Sequence, residues 1–281
     1  MKLKVIASVI IVSLMLSAVL NYATVGCAGV ERASPLVEII ELVPDDVTKF
    51  CCFDIDSWRV DADLEDLYDD FRSEIGAEKM EEVIGISLLD VNLIARAFID
   101  GASWLIIKGR FDLDDVRDAL EDRGWEQDEY RRVEVWYNPR GHKDVAFLED
   151  MVIIGEPRNV KASIRLSQGK GTSMYGNEDV NSVVRKLRGG IITEILSKEE
   201  AGPALALGIS INKLDEETLK VTGWFKFENE RTAESKLRAL QTNLERELNA
   251  LYIDCYQRDE FIRVIGEVDI SDFRESRYWF K

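Results

Sequence analysis

The chain has 281 residues with 36 basic and 53 acidic side chains, one histidine and a net charge of −17. So acidic a surface repels phosphate backbones, which argues against a nucleic-acid partner. The lone His142 stands in a turn beside Gly141, and the four cysteines show no Cys-x-x-Cys spacing, which together argue against a zinc site and a serine or cysteine triad.

Lys2 and Lys4 precede an uncharged run from Val5 to Leu20, and the small residues Ala23, Gly26, Cys27 and Ala28 follow. This is the pattern of an export signal. The run is shorter than the roughly 20 apolar residues a membrane span needs, so a cleaved signal peptide within residues 1–27 is expected over a permanent anchor. Thr24-Val25-Gly26-Cys27 resembles the lipobox of bacterial lipoproteins, although Thr24 stands where an aliphatic residue is usual. The resemblance implies a diacylglyceryl group on Cys27 and a tether to the membrane. A cut after Ala28, releasing a soluble protein, is the alternative. Either route places the folded part outside the cytoplasm, and loss of the two lysines takes the net charge from −17 to −19.

After a short linker, 28–35, the residues that remain suffice for one large domain or two smaller ones. Ser34-Pro35 opens a helical segment over Leu36–Leu42, Val43-Pro44-Asp45-Asp46 turns the chain, and Val47–Ile55 reads as a strand. Leu64, Leu67, Tyr68, Phe71 and Ile75 recur at helical spacing up to Gly76. Val91–Ile99 and Ser103–Phe111 flank Asp100-Gly101, a hairpin signal, and Asp112 caps the helix that follows. Arg132–Tyr137, Asp144–Leu148 and Met151–Ile154 read as a meander. Asn159 is expected to cap a helix running to Leu166, and Asp179–Leu187 forms another. Ala204–Asn212 and Thr218–Glu228 make a second hairpin. A helix capped by Asn229, with Leu237, Leu240, Leu244 and Leu248 along one side, leads to a final hairpin of Tyr252–Gln257 and Phe261–Val268. The expected class is α+β: two antiparallel sheets with helices on one face, built from repeated ββαββ-type units, and either packed against each other through the helices or joined into one larger sheet. An N-terminal domain would occupy 36–200 and a C-terminal ββαββ unit 201–281.

With Cys27 lipidated, Cys51, Cys52 and Cys255 remain. Cys51 and Cys52 are neighbours on a strand and face opposite ways, so at most one can bridge to Cys255. Free buried thiols are the other reading. Trp104 and Trp224 lie in the hairpins and Trp136 in the meander, where strand alternation predicts burial on one sheet face, so they are expected in the core.

Val43-Pro44-Asp45-Asp46, Phe111-Asp112 entering a helix, and Val152-Ile153-Ile154-Gly155 before another helix resemble a group of uncharacterised bacterial exported proteins over roughly residues 40–190. The resemblance implies a repeated strand-strand-helix fold and an extracytoplasmic location. It implies no functional residue.

Asp61-Ala62-Asp63-Leu64-Glu65 starts like a calcium loop but has Asp66 where glycine is required and Arg72 in place of the bidentate glutamate, so it reads as an acidic first helical turn. Gly169-Lys170-Gly171-Thr172 follows a helix, not a strand, and reads as a loop after a helix end, not a phosphate loop. Tyr278, Trp279 and Phe280 form three consecutive rings that cannot all point one way, which makes them a candidate contact surface. The expected function is a non-catalytic binding or scaffold role for a membrane-tethered lipoprotein, with an unidentified protein or polymer at the cell surface as partner. A small-ligand or cation-binding module and a carboxylate-dependent hydrolase are the alternatives. No cofactor or metal is expected.

Overall fold

The structure is a computed structural model that describes residues 34–197, 200–247 and 251–276. The chain divides into two units between Pro35 and Leu36, and the second, Leu36–Lys281, carries the described strands. These are β1 (Lys49–Asp54), β2 (Val91–Ile99), β3 (Ala102–Gly109), β4 (Glu126–Tyr130), β5 (Val133–Tyr137), β6 (Asp144–Leu148), β7 (Met151–Gly155), β8 (Ile192–Ser197), β9 (Ala206–Lys213), β10 (Thr218–Lys226), β11 (Tyr252–Arg258) and β12 (Phe261–Asp269). The helices are α1 (Pro35–Ile40), α2 (Ile55–Val60), α3 (Glu65–Glu74), α4 (Ala77–Ile84), α5 (Leu113–Asp122), α6 (Pro157–Ser167), α7 (Glu178–Val184), α8 (Glu230–Glu247) and α9 (Ile270–Ser276).

The two expected sheets are joined into one larger sheet, not packed against each other through their helices. All twelve strands join in the order β11-β12-β10-β9-β8-β1-β2-β3-β7-β6-β5-β4, each pair antiparallel. The join is made by β8, which pairs β9 on one side and β1 on the other, with Phe50 opposite Ile195 and Phe53 opposite Ile192. The sheet is therefore unbroken at the expected domain boundary, residue 200.

Neighbouring residues on a strand face opposite ways, so β1 splits the core in two. Cys51 and Phe53 face the front, where Trp58, Leu67, Phe71, Met80, Val116 and Leu120 from α2–α5 cover them. Phe53, Trp58 and Phe71 meet there with ring centroids 4.8–5.9 Å apart. Further along the same face, α8 packs Ala233, Leu237 and Leu240 on Leu207, Phe225 and Ile262. Phe50 and Cys52 face the back, with Ile39 of α1, Val160 and Ile164 of α6, and Val180 and Val183 of α7. Helices thus cover both faces of the sheet, not one.

Local chemistry explains several ends. Asp100 and Gly101 both have positive φ, 48° and 76°, which closes the β2–β3 hairpin tightly. The Asp112 carboxylate accepts from the Asp114 amide at 3.0 Å to start α5, and Asn229 accepts from the Thr232 amide at 2.9 Å to start α8. Asn159 is not a cap. It lies inside α6, which begins two residues earlier because Pro157 suits the first helical position.

Cys51 and Cys52 are buried free thiols. Five strand spacings separate β1 from β11, about 24 Å at ~4.8 Å each, against the roughly 4.4–6.8 Å between Cα atoms that a disulfide allows. The bridge considered between Cys255 and Cys51 or Cys52 is thus ruled out by strand order. Burial pushes the Cys52 thiol up to about 12 and raises that of Cys51 as well, so both act as small hydrophobes.

A lateral row on the back face runs Gly155, Trp104, Ala97, Phe50, Ile195, Gly208, Trp224 across seven strands. A Cβ added at Gly155 would stand 2.3 Å from Cβ of Trp104, and one at Gly208 would stand 2.4 Å from Cγ1 of Val183 on α7. Gly155→Ala and Gly208→Ala are each expected to destabilise the protein by about 1–3 kcal/mol through overpacking. Chemical denaturation measures this, and an unchanged midpoint for both variants would contradict the packing.

Candidate functional site

Helix α6 lies on β6 and β7 and presents Asn159, Val160, Ser163 and Ile164 to the sheet. Its remaining positions carry Arg158, Lys161 and Arg165, and no acid stands in its first turn. On an acidic protein this makes a local cationic ridge, with a recess on either flank.

The first recess, about 220 Å³, lies toward β3. Trp104 and Ile99 form part of its lining, Arg158, Arg165 and Lys170 contribute cations, and Asp45 and Asp46 stand on the turn beside them. None of the three cations makes an ion pair among the described residues. The turn is held to the segment after α6 by the Asp45 amide, which donates to the Thr172 carbonyl at 3.1 Å, and by a bridge between Pro44 and Ser173. The Gly169–Thr172 segment, read from sequence as a plain loop, thus supplies one wall of a recess.

The second recess is larger, about 630 Å³, and lies between α6 and the back face of β4, β5 and β6. Register sets its lining. Glu126 of β4 stands opposite Tyr137 of β5, which stands opposite Asp144 of β6, so an acid, a phenol and a second acid form one cross-strand row. Asp128 and Tyr130 are two and four residues on from Glu126 and face the same way. The Tyr137 hydroxyl donates to Glu126, and that bond raises the phenol's pKa. Lys161 of α6 stands at the rim with Nζ 5.5 Å from the centre of the Tyr130 ring.

Asp144 is the unusual member. It is only 6% exposed, lines the recess, and its side chain has no hydrogen bond or ion pair among the described residues. Burial pushes its carboxyl up from the ordinary range, Lys161 opposes that shift and Asp128 adds to it. A carboxylate held this way favours a bound cation or a bound proton. No set of three or more acids, cysteines or histidines among the described residues comes together closely enough to hold a metal ion.

The residues singled out from sequence lie elsewhere. Cys27 and Tyr278, Trp279 and Phe280 lie outside the described residues. Asp61 and Asp63, in the calcium-like segment, pair with Lys213 of β9. Trp104 and Trp136 are buried as expected, while Trp224 is half-buried against Phe261 and Arg263. Asp144 carried no signal beyond its place at the start of a strand, since its neighbours in the recess come from two other strands and a helix.

The architecture is that of an α+β protein with one broad antiparallel sheet and recesses flanking a helix on its back face. Crystal forms III and IV of TP0453 share it, with TM-scores of 0.52 and 0.53, 12% and 13% identity, 86% of this chain covered in both and 97% and 96% of that one. Form I of the same protein gives 0.50 at 11% identity, over 89% and 98%. The likeness is one of fold. No family model matches the chain, and no curated protein matches it.

Asp144 also sets a pH dependence. Because its folded pKa is raised, the native state binds more protons than the unfolded chain between the ordinary carboxylate value and the raised one. Its contribution therefore favours folding in acid and falls as pH rises through that window. Asp144→Asn is expected to melt at or above the wild-type temperature at pH 7, with the difference closing as pH drops through the carboxylate range. Thermal unfolding of both chains across pH 3–8 checks this, and a variant less stable at pH 7 would contradict it.

Proposed function

We propose that the chain is an exported lipoprotein, tethered through Cys27, whose folded part binds a partner or ligand outside the cytoplasm on the back face of the sheet. The observation that carries the binding role is the pair of oppositely charged recesses flanking α6, one with Arg158, Arg165 and Lys170, the other with Glu126, Asp128 and Asp144. Concave sites of several hundred Å³ with a few convergent polar groups are the usual form of ligand sites. The tether rests on the lipobox-like Thr24-Val25-Gly26-Cys27 and the uncharged run before it.

We also read the sheet as two related halves. β1-β2-β3 and β8-β9-β10 are each three successive antiparallel strands followed by a helix, after which a later strand, β7 or β12, returns beside the third. That reading agrees with the repeated units, and with the exported family that the Val43-Pro44-Asp45-Asp46 and Val152-Ile153-Ile154-Gly155 segments resemble. Its functional consequence is asymmetry, since only the first half interposes the additional strands β4–β6 that form the acidic recess.

Two measurements test the proposal. In fractionated cells the wild-type chain is expected in the membrane, with the mass of a chain that begins at a lipid-bearing Cys27, while Cys27→Ser moves to the soluble fraction or keeps its signal. A wild-type chain that is soluble and begins after Ala28 would overturn the tether. For the binding role, hydrogen exchange of the full chain with and without cell-envelope extract is expected to show new protection confined to 126–144 and 156–172. Unchanged exchange in both segments would count against the back face as a binding surface.

A further inference from the structure

We propose that the acidic recess between α6 and β4–β6 binds an organic cation, a primary ammonium or guanidinium group, with Asp144 as the anchoring carboxylate. The inference rests on the reading of the back face as a binding surface and names the chemistry of one of its two recesses.

Three features of the recess lead to it. The first is Asp144 itself, a residue only 6% exposed that lines the recess and whose carboxylate has no hydrogen bond or ion pair among the described residues. Its carboxylate opens on the recess and lacks a donor from the protein, since Lys161 at the rim makes no ion pair with it among the described residues. An outside donor that enters the recess would complete the pairing.

The second is the surroundings of Asp144. Glu126 and Tyr137 share its cross-strand row, and Tyr130 and Asp128 stand along the same face of β4. Aromatic faces next to carboxylates attract an organic cation twice, through the ring quadrupole and through charge. Lys161 already shows this with Nζ 5.5 Å from the Tyr130 ring centre, so an ammonium is accommodated at the rim.

The third separates an organic cation from a metal ion. A divalent metal demands several oxygens at close range, and no three such groups among the described residues come together in that way. The acids are instead spread over a recess of about 630 Å³, room for a group the size of an amino-acid side chain or a diamine. The shared chemistry is the cationic nitrogen, and a free polyamine and a basic side chain of a peptide are its two sources.

The probe is agmatine, which has a guanidinium at one end and an ammonium at the other, titrated calorimetrically into the purified full chain at low salt. Saturable one-site binding is expected, weakened about tenfold or more by Asp144→Asn, as when one partner of a buried charged pair is removed. Lys236→Ala, at an exposed position of α8 on the opposite face of the sheet, should leave it unchanged. Tyr137→Phe, which keeps the ring and loses the bond to Glu126, is the second variant should Asp144→Asn fail to fold, and is expected to weaken binding by a smaller factor. A tripeptide with one central lysine and blocked ends, competing with agmatine, would point to a peptide source, and failure to compete to a free amine. Absence of saturable binding, or equal binding by wild type, Asp144→Asn and Tyr137→Phe, overturns the proposal. If envelope extract still protects 126–144 while agmatine neither binds nor competes, the cation assignment alone falls and the binding surface stands. Loss of that protection as well removes both.

Discussion

The pairing of β1 with β8 is the constraint on which the rest of the molecule depends. β1 is the central strand in chemistry as well as position, with Phe50, Cys51, Cys52 and Phe53 all buried, two toward each face. A strand so apolar on both faces is stable only inside a sheet, and β8 supplies its second neighbour through five consecutive residue pairs. The same pairing sets Glu194 against Lys49 at 2.9 Å, with the Glu194 side chain only 6% exposed. Burial alone would lower the Lys49 pKa, but the charge and hydrogen bond of Glu194 prevail and leave it raised. A buried ion pair adds little net stability, yet in another register it would leave a charge alone among apolar side chains. The pair therefore acts against a slip between the two halves of the sheet.

From that junction outward, each face receives its own helices. The front face takes α2–α5 and α8, and the back face takes α1, α6 and α7. The site follows from an incomplete cover. α6 seats on β6 and β7, and Gly155 of β7, lacking a side chain, leaves the room that Trp104 of β3 fills. β4 and β5 extend beyond the helix, so the part of the back face that they form stays open beneath its flank. Carboxylates and phenols occupy the open part because apolar residues there would face water. The charge of β4, with four polar residues in Glu126–Tyr130, also suits an edge strand, where an apolar edge would invite pairing with other chains.

Much of this was legible in the residues, and the failures have physical causes. Asp100-Gly101, Asp112 and Asn229 announce a hairpin and two helix starts because their signals are local and chemical. β8 was invisible because Thr193 and Glu194 point into buried surroundings, so Ile192–Ser197 shows neither alternation nor a plain apolar run. Without β8 there was nothing to join the halves, and one sheet read as two. β4 was missed for the opposite reason, since an edge strand of charged residues looks like a loop. The recess needs Glu126, Tyr137, Asp144 and Lys161 together, four elements whose register no local pattern records. Asp144 became a candidate only when its burial was seen beside its lack of a partner.

The central claim, that one sheet is made by the β1–β8 junction, is tested most directly by native-state hydrogen exchange resolved to single amides. The account predicts that the amides of Phe50–Phe53 and Thr193–Ile195 are among the slowest and open only with global unfolding, together with β9 and β10. Exchange at the β1–β8 junction while β9, β10 and β12 stay protected would mean two sheets that part independently, and would contradict it.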